Sequence, residues 1–289
     1  MTRREILLAF FYAAGEHMLR IGEISYLNCT PIFSVLREKF DDGSYTFVPG
    51  TPARLNGRLC SGEIDLCPSS SIEYGRRPGS YLILPDLSIS AVGPVLSVLL
   101  FSRLPVEELD GRAIALTSES ATSVALLKIL LSRMYGFSNS FTVVSGGLEE
   151  ALVCHDAVLL IGDRALQENM VATGCHVYDL GELWRSFTGC PFVFALWLAR
   201  EELLDGQRAE LTLLHQRLLQ AKRLSLENIE GIAEVCAQNH WTNRDFLINY
   251  WRVLSYDLSP RHLEGLRLFF RYATECGVLE REPEIRMFA

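Results

Sequence analysis

From Leu19 onward, short apolar runs alternate with amphipathic stretches at a helical period. Leu19 to Tyr26 reads as a strand and Pro31 to Phe40 as the helix after it, joined by Leu27-Asn28-Cys29-Thr30. In that loop Thr30 is placed as an N-cap with Pro31 at the first helical position. The pattern then repeats. Tyr45 to Val48 is a strand, and Thr51-Pro52 opens a helix through Cys60. Ile64 to Cys67 is a third strand, followed by Pro68-Ser69-Ser70-Ser71 and a short helix through Tyr74. Three strand–loop–helix units in succession predict an α/β sheet with right-handed crossovers.

Tyr81 to Pro85 continues the strands, and Val95 to Ser102 (VLSVLLFS) has the Val/Leu density of a strand buried on both faces. After a connection over 102–108 and an Asp110-Gly111 turn, Ala113 to Leu116 is a strand. Ser118 to Ser123 leads into a helix over Val124 to Tyr135. Phe141 to Val144 (strand), Leu148 to Cys154 (helix) and Ala157 to Ile161 (strand) follow, then a short apolar element from Tyr178 to Trp184. Pro191 to Leu198 (PFVFALWL) is another buried strand, and four amphipathic helices are expected at about 205–221, 225–239, 242–254 and 260–276. The order implies a first lobe of 19–102 plus 192–289, the latter carrying a helical C-terminal tail, and a second lobe of 103–191 inserted into it. Residues 1–18 form an N-terminal extension. Two lobes joined by two crossing connections make a hinged cleft, the layout of type II periplasmic-binding-protein-like folds. There the ligand lies at the carboxyl ends of strands facing each other.

Composition narrows the function classes. The chain has 289 residues, 49% apolar and 21% charged, so it can bury a core without disulfide staples and is not a disordered chain. Its formal charge of −8 suits it poorly for neutralising phosphates, so no nucleic-acid partner is expected. A small anion remains admissible, because helix N-termini bind one without net positive charge. No run approaches the ~20 apolar residues of a membrane span, so no membrane partner is expected. The eight cysteines show no C-x-x-C spacing, which argues for a reducing compartment and a cytoplasmic protein. At the N-terminus, Thr2-Arg3-Arg4 before the apolar Ile6 to Ala14 resembles a short leader, while Met18 offers an alternative start. The pattern assigns no oligomeric state.

No G-x-G-x-x-G, P-loop or G-x-S-x-G motif occurs, and the six histidines form no H-x-x-x-H pair, so neither a metal nor another cofactor is expected. Small polar residues instead gather at strand ends: Asn28, Ser69-Ser70-Ser71, Ser97, Thr122-Ser123 and Thr188-Gly189. Taken singly, each is explained by capping or turn chemistry. Together they place hydroxyls and amides beside helix N-termini, a donor set suited to carboxylates.

Seven segments in order carry a family resemblance. They are R-I-G-x-I-x-Y-L-N-C-x-P (Arg20 to Pro31), G-x-P-A-R-L-N (Gly50 to Asn56), G-E-I-D-L-C-P-S-S-S-I-E-Y (Gly62 to Tyr74) and G-P-V-L-S-V-L-L-F-S (Gly93 to Ser102). S-x-S-A-T-S (Ser118 to Ser123), I-G-D-R-A-L (Ile161 to Leu166) and T-G-C-P-F-V-F-A-L-W (Thr188 to Trp197) complete the set. The series resembles the chorismate dehydratase family of the futalosine route to menaquinone over about residues 19–200, with Cys67, Ser69 and Cys190 where Ala, Val and Leu are more usual. The resemblance implies a lyase that dehydrates chorismate to 3-[(1-carboxyvinyl)oxy]benzoate, without a cofactor. It also implies Asn28 and Ser97 as the catalytic pair, with Ser70, Ser71, Thr122, Ser123, Thr188 and Gly189 binding the substrate. No His or Glu holds an obvious general-base position in these motifs, so a substrate carboxylate is the expected proton acceptor, with Asp163 and Glu73 as protein alternatives. Two rival readings share the fold. The sister dihydroxynaphthoate synthase of the same pathway is expected to place a His in the site loops, which contain none. A solute-binding protein of a transporter would require export.

Overall fold

Leu19–Ile24 (β1) buries Leu19, Ile21 and Ile24 on one sheet and runs parallel to Tyr45–Gly50 (β2) and to Leu66–Ser70 (β3). These strands belong to a computed structural model that describes residues 18–172 and 174–289; the leader-like segment Thr2 to Ala14 falls on residues outside that description. Helices Thr30–Phe40 (α1) and Pro52–Ser61 (α2) supply the parallel crossovers, and the six-residue Ser71–Arg76 (α3) follows β3 directly. Thr30 is the first helical residue rather than the cap. Cys29 takes the cap position, and its side chain makes no cap bond.

Two long strands complete the first sheet. Tyr81–Ala91 (β4) runs well past the expected Pro85, and Phe192–Arg200 (β10) lies antiparallel between β3 and β4. Eight of the nine β10 residues are buried, as its unbroken apolar run requires of a central strand covered on both faces. The short Leu254–Ser255 (β11) closes the edge, giving the order β11-β4-β10-β3-β1-β2.

The second sheet has the order β7-β6-β8-β5-β9, formed by Val98–Ser102 (β5), Ala113–Thr117 (β6), Ser140–Val144 (β7), Ala157–Ile161 (β8) and His176–Asp179 (β9). Here the expected boundary needs correction. Strand 98–102, assigned to the first lobe, pairs antiparallel with β8 and β9, so the chain changes sheets at 92–97 rather than at 103. A run buried on both faces fits either sheet, and its pairing partners decide. Ala121–Ile129 (α4) continues into a π-helical turn, Leu130–Met134. Leu148–Cys154 (α5), Gly162–Val171 (α6) and Leu180–Thr188 (α7) complete this lobe. The element expected at 178–184 proves to be the end of β9 and the start of α7.

The tail is helical, as its period predicts: Arg208–Glu227 (α8), Ile229–Ala237 (α9), Arg244–Val253 (α10) and Pro260–Glu275 (α11). α8 packs on α1, whereas α11 touches both β10 and α4 and so lies against both lobes. Among the described residues, no helix is long and apolar enough to cross a membrane.

Candidate active site in the cleft between the lobes

The β4–β5 crossover carries a tightly held stretch of backbone beside the cleft. Leu96 sits at φ +63°, a conformation that costs a branched L-residue energy and persists only where its surroundings enforce it. The enforcing group is Asp179. Its Oδ2 accepts the Val95 and Leu96 N–H groups at 2.9 and 2.7 Å, while Oδ1 accepts those of Gly181 and Glu182 at 2.8 and 3.2 Å. One carboxylate thus caps α7 and pins the crossover. Burial raises its pKa against the pull of these donors. The residue after Leu96 is Ser97, which is thereby turned toward the cleft.

Opposite Ser97, the loop after β1 presents Asn28. The Leu27 N–H donates to Asp163 Oδ1 at 3.0 Å, the Leu27 carbonyl accepts from Trp251 Nε1 at 2.7 Å, and the Asn28 carbonyl accepts from the Tyr256 hydroxyl at 2.9 Å. With the backbone so held, the Asn28 side-chain oxygen is buried and has no hydrogen-bond partner. An unpaired buried carbonyl costs roughly 1–3 kcal/mol, so it is an acceptor awaiting a ligand.

These two residues line one cavity with Ser70 and Ser123, together with Tyr26 and Ser120; it spans about 510 Å³ of empty space, its mouth included. Ile89, Val98, Ile161 and Phe194 form apolar wall. Ser70 is set by Asn56, whose Nδ2 donates to Ser70 Oγ at 3.2 Å while its Oδ1 accepts from Ser69 Oγ at 2.8 Å. On the other lobe Ser120 is the true N-cap of α4. Its Oγ accepts the Ser123 N–H at 3.2 Å and lies 2.9 Å from Ser123 Oγ. The cavity therefore meets a helix N-terminus with two hydroxyls, a favourable seat for a carboxylate. Gly162 forms part of the wall at φ +61°, and a Cβ there would fall 2.8 Å from the Tyr26 ring, so only glycine lets that ring approach.

Four expected binding residues stand elsewhere. Ser71 is fully buried and donates to the Val193 carbonyl at 2.7 Å. Thr122 Oγ1 is occupied by the Ile72 N–H at 3.1 Å, which fastens α3 of one lobe to α4 of the other. Thr188 donates back to the Trp184 carbonyl at 2.8 Å, and Gly189 is the left-handed C-cap of α7. Their polarity serves the fold, and none of the four lines the cavity. Conversely, the sequence reading missed Tyr26 and Ser120 as site residues, although both lie inside quoted motifs. Tyr26 donates to Glu119 across the cleft at 2.7 Å, and burial, helped by Glu119, raises its pKa and keeps it protonated.

The protein alternatives for a base are both engaged. Glu73 is paired with Arg76 at 2.5 Å and Arg77 at 2.9 Å, and does not line this cavity. Asp163 is spent on the Leu27 N–H, with burial raising its pKa. Among the described residues, no group of three or more His, Cys, Asp or Glu side chains is arranged to hold a metal.

A family model described as menaquinone biosynthesis matches residues 19–275. The chain belongs to that family. Within the menaquinone-biosynthesis family it is similar to the chorismate dehydratase of Thermus thermophilus, with 34% identity over 264 residues that cover 86% of this chain and 93% of the relative. Among solved structures, it resembles a protein of Archaeoglobus fulgidus at TM-score 0.73 and 17% identity, covering 91% of this chain and 99% of that one. It also resembles the alkanesulfonate-binding protein of Xanthomonas axonopodis bound to MOPS, at TM-score 0.69 and 17% identity, covering 93% and 96%. At such identities these two likenesses establish the periplasmic-binding-protein-like fold and nothing finer.

Proposed function

We propose that this chain is a chorismate dehydratase, a hydro-lyase of menaquinone biosynthesis that converts chorismate to 3-[(1-carboxyvinyl)oxy]benzoate and water. The relationship to the Thermus thermophilus enzyme supports the activity. The observation that carries the site assignment is the unpartnered, buried Asn28 oxygen in the same cavity as Ser97. In the elimination, the ring C–H bond breaks, its electron pair becomes the new ring double bond, and the hydroxyl leaves with a proton as water.

Asn28 and Ser97 form the catalytic pair. Each hydrogen-bonds the reacting ring, with Ser97 donating to the departing hydroxyl. Ser123, with the start of α4, receives one substrate carboxylate, and Ser70 on the first lobe receives the other. The polar groups on the cavity wall are hydroxyls and an amide, of which Tyr26 is held protonated. The proton acceptor is therefore a carboxylate of the substrate itself. Holding that conformer can lower a barrier by up to ~7–11 kcal/mol, and aromatisation makes the reaction strongly downhill. The site needs no metal or other cofactor in this scheme. All eight cysteines are free, which fits a reducing, cytoplasmic setting.

The test is incubation of the purified protein with chorismate, following the aromatic product. Turnover is expected, falling roughly 10²-fold in kcat for Ser97→Ala if its hydroxyl acts as an oxyanion-hole donor does, and falling also for Asn28→Asp, which sets a negative charge beside a dianionic substrate. Binding of chorismate without turnover would leave a solute-binding protein. Wild-type kcat in both variants would remove the pair from the chemistry.

A further inference from the structure

The helical tail enters the sequence motifs nowhere, yet it reaches the centre of the site. Tyr250 on α10 is buried, and its hydroxyl donates to Ser97 Oγ at 2.8 Å across 153 residues of chain. Tyr250 does not line the cavity, so it touches Ser97 and not the ligand. The next residue, Trp251, donates to the Leu27 carbonyl, and Tyr256 donates to the Asn28 carbonyl. The segment bearing them is pinned to β4: the Ser88 N–H donates to the Tyr256 carbonyl at 3.0 Å and Ser90 Oγ to the Ser255 carbonyl at 3.0 Å. One stretch of tail therefore grips both halves of the catalytic pair.

From this geometry we infer that Tyr250 is a positioning residue for the dehydration, orienting the Ser97 hydroxyl so that its proton points at the departing oxygen. The inference rests on the proposed role of Ser97. A serine hydroxyl has one proton and two lone pairs and rotates to suit its neighbours. The Tyr250 proton occupies one lone pair and fixes the hydroxyl's orientation about that bond, leaving its own proton and a single lone pair for other partners. The other contact of Ser97 Oγ, to the Val95 carbonyl, is 3.4 Å long, beyond the 2.5–3.0 Å of a good O–H···O bond. Its proton is thus weakly held and free to transfer its hydrogen bond to the leaving hydroxyl. Donors in series polarise each other, so the Tyr250–Ser97–substrate chain strengthens as charge develops on the oxygen. Burial raises the phenol pKa far above neutrality, so Tyr250 remains a donor throughout the working range.

A double-mutant cycle tests this. Tyr250→Phe keeps the ring and its packing and removes only the donor. Expected is a fall in kcat of about tenfold with KM within twofold of wild type, and no further fall when Tyr250→Phe is added to Ser97→Ala. Replacing Tyr250 by 3-fluorotyrosine keeps ring and donor and retains wild-type kcat, which separates loss of the hydrogen bond from loss of the fold. Wild-type kcat in Tyr250→Phe beside a defective Ser97→Ala would overturn the inference and leave the Ser97 assignment standing. So would an equal fall from Tyr250→Phe in both backgrounds, or a fluorotyrosine protein as slow as the Phe variant. Wild-type kcat in Ser97→Ala would instead overturn the catalytic assignment on which the inference rests.

Discussion

Replacing Asp179 by Asn probes how the fold aims Ser97. The carboxylate accepts four backbone N–H groups, two from the crossover on Oδ2 and two from the first turn of α7 on Oδ1. An asparagine has one acceptor oxygen. Asn is as good a cap as Asp, so the oxygen stays on Gly181 and Glu182 and the NH2 group turns against the Val95 and Leu96 donors. A hydrogen bond to a charged group contributes roughly 1.5–3 kcal/mol, and Val95 keeps a second contact at 3.1 Å to Oδ1. The net loss is about 2–4 kcal/mol, a sizeable part of the roughly 5–15 kcal/mol that separates a typical domain from its unfolded chain. Freed of the clamp, Leu96 leaves its positive φ and takes Ser97 with it, so kcat falls toward the Ser97→Ala value. Urea unfolding followed by tryptophan fluorescence gives the stability, and chorismate turnover at low urea gives kcat. Adding Leu96→Gly, which adopts positive φ freely, recovers part of the lost kcat. A variant Asp179→Asn with wild-type kcat and stability within ~0.5 kcal/mol of the parent would refute the clamp, since this is the size of change seen for an unremarkable surface substitution.

Other substitutions separate binding groups from structural ones. Ser123→Asp places a negative charge against an anionic substrate and raises KM steeply, whereas Ser123→Ala lowers kcat/KM by the ~1.5–3 kcal/mol of one charged hydrogen bond; steady-state kinetics on both variants decide it. Thr188→Ala leaves kcat and KM unchanged and reduces stability by about 1 kcal/mol, checked by the same assay and by urea unfolding. The third concerns acid stability. Burial works against ionisation of Asp42, but hydrogen bonds from Arg217 and Ser44 prevail and hold its carboxyl at about 2. A folded pKa below the unfolded value stabilises above ~3.9, and that share is lost as pH falls toward 2. The pair is half-exposed on the Asp42 side, so Asp42→Asn flattens the stability–pH curve in this window by under ~1 kcal/mol.

The parts of the fold written in local pattern were legible in the sequence. The order of elements followed from periodicity, and Asn28, Ser70, Ser97 and Ser123, which share the cavity, all lie in motifs at strand ends. What failed depends on partners that a local pattern does not carry. The run from Val95 to Ser102 is equally apolar for either sheet, so only its pairing with β8 and β9 reveals the lobe boundary. Thr122 and Thr188 look like ligands because hydroxyls beside helix ends suit both binding and fastening. Their distances to Ile72 and Trp184 show which role each fills. Tyr250 carries no local signal, since its significance lies in a contact 153 residues away.

Among the described residues, the hydrogen bonds that join the lobes include three near the cleft: Tyr26 to Glu119, the Leu27 N–H to Asp163, and the Ile72 N–H to Thr122. Moving the lobes apart at this edge breaks all three, so together they set a cost on opening. At a net ~1 kcal/mol each they favour the closed form by about 3 kcal/mol, leaving on the order of one molecule in a hundred ajar at any instant. The apparent dissociation constant is the intrinsic one divided by that fraction, so apparent affinity falls with it. The Tyr26 and Thr122 hydroxyls thus weigh on how readily the lobes part, a cost separate from the bond-breaking step.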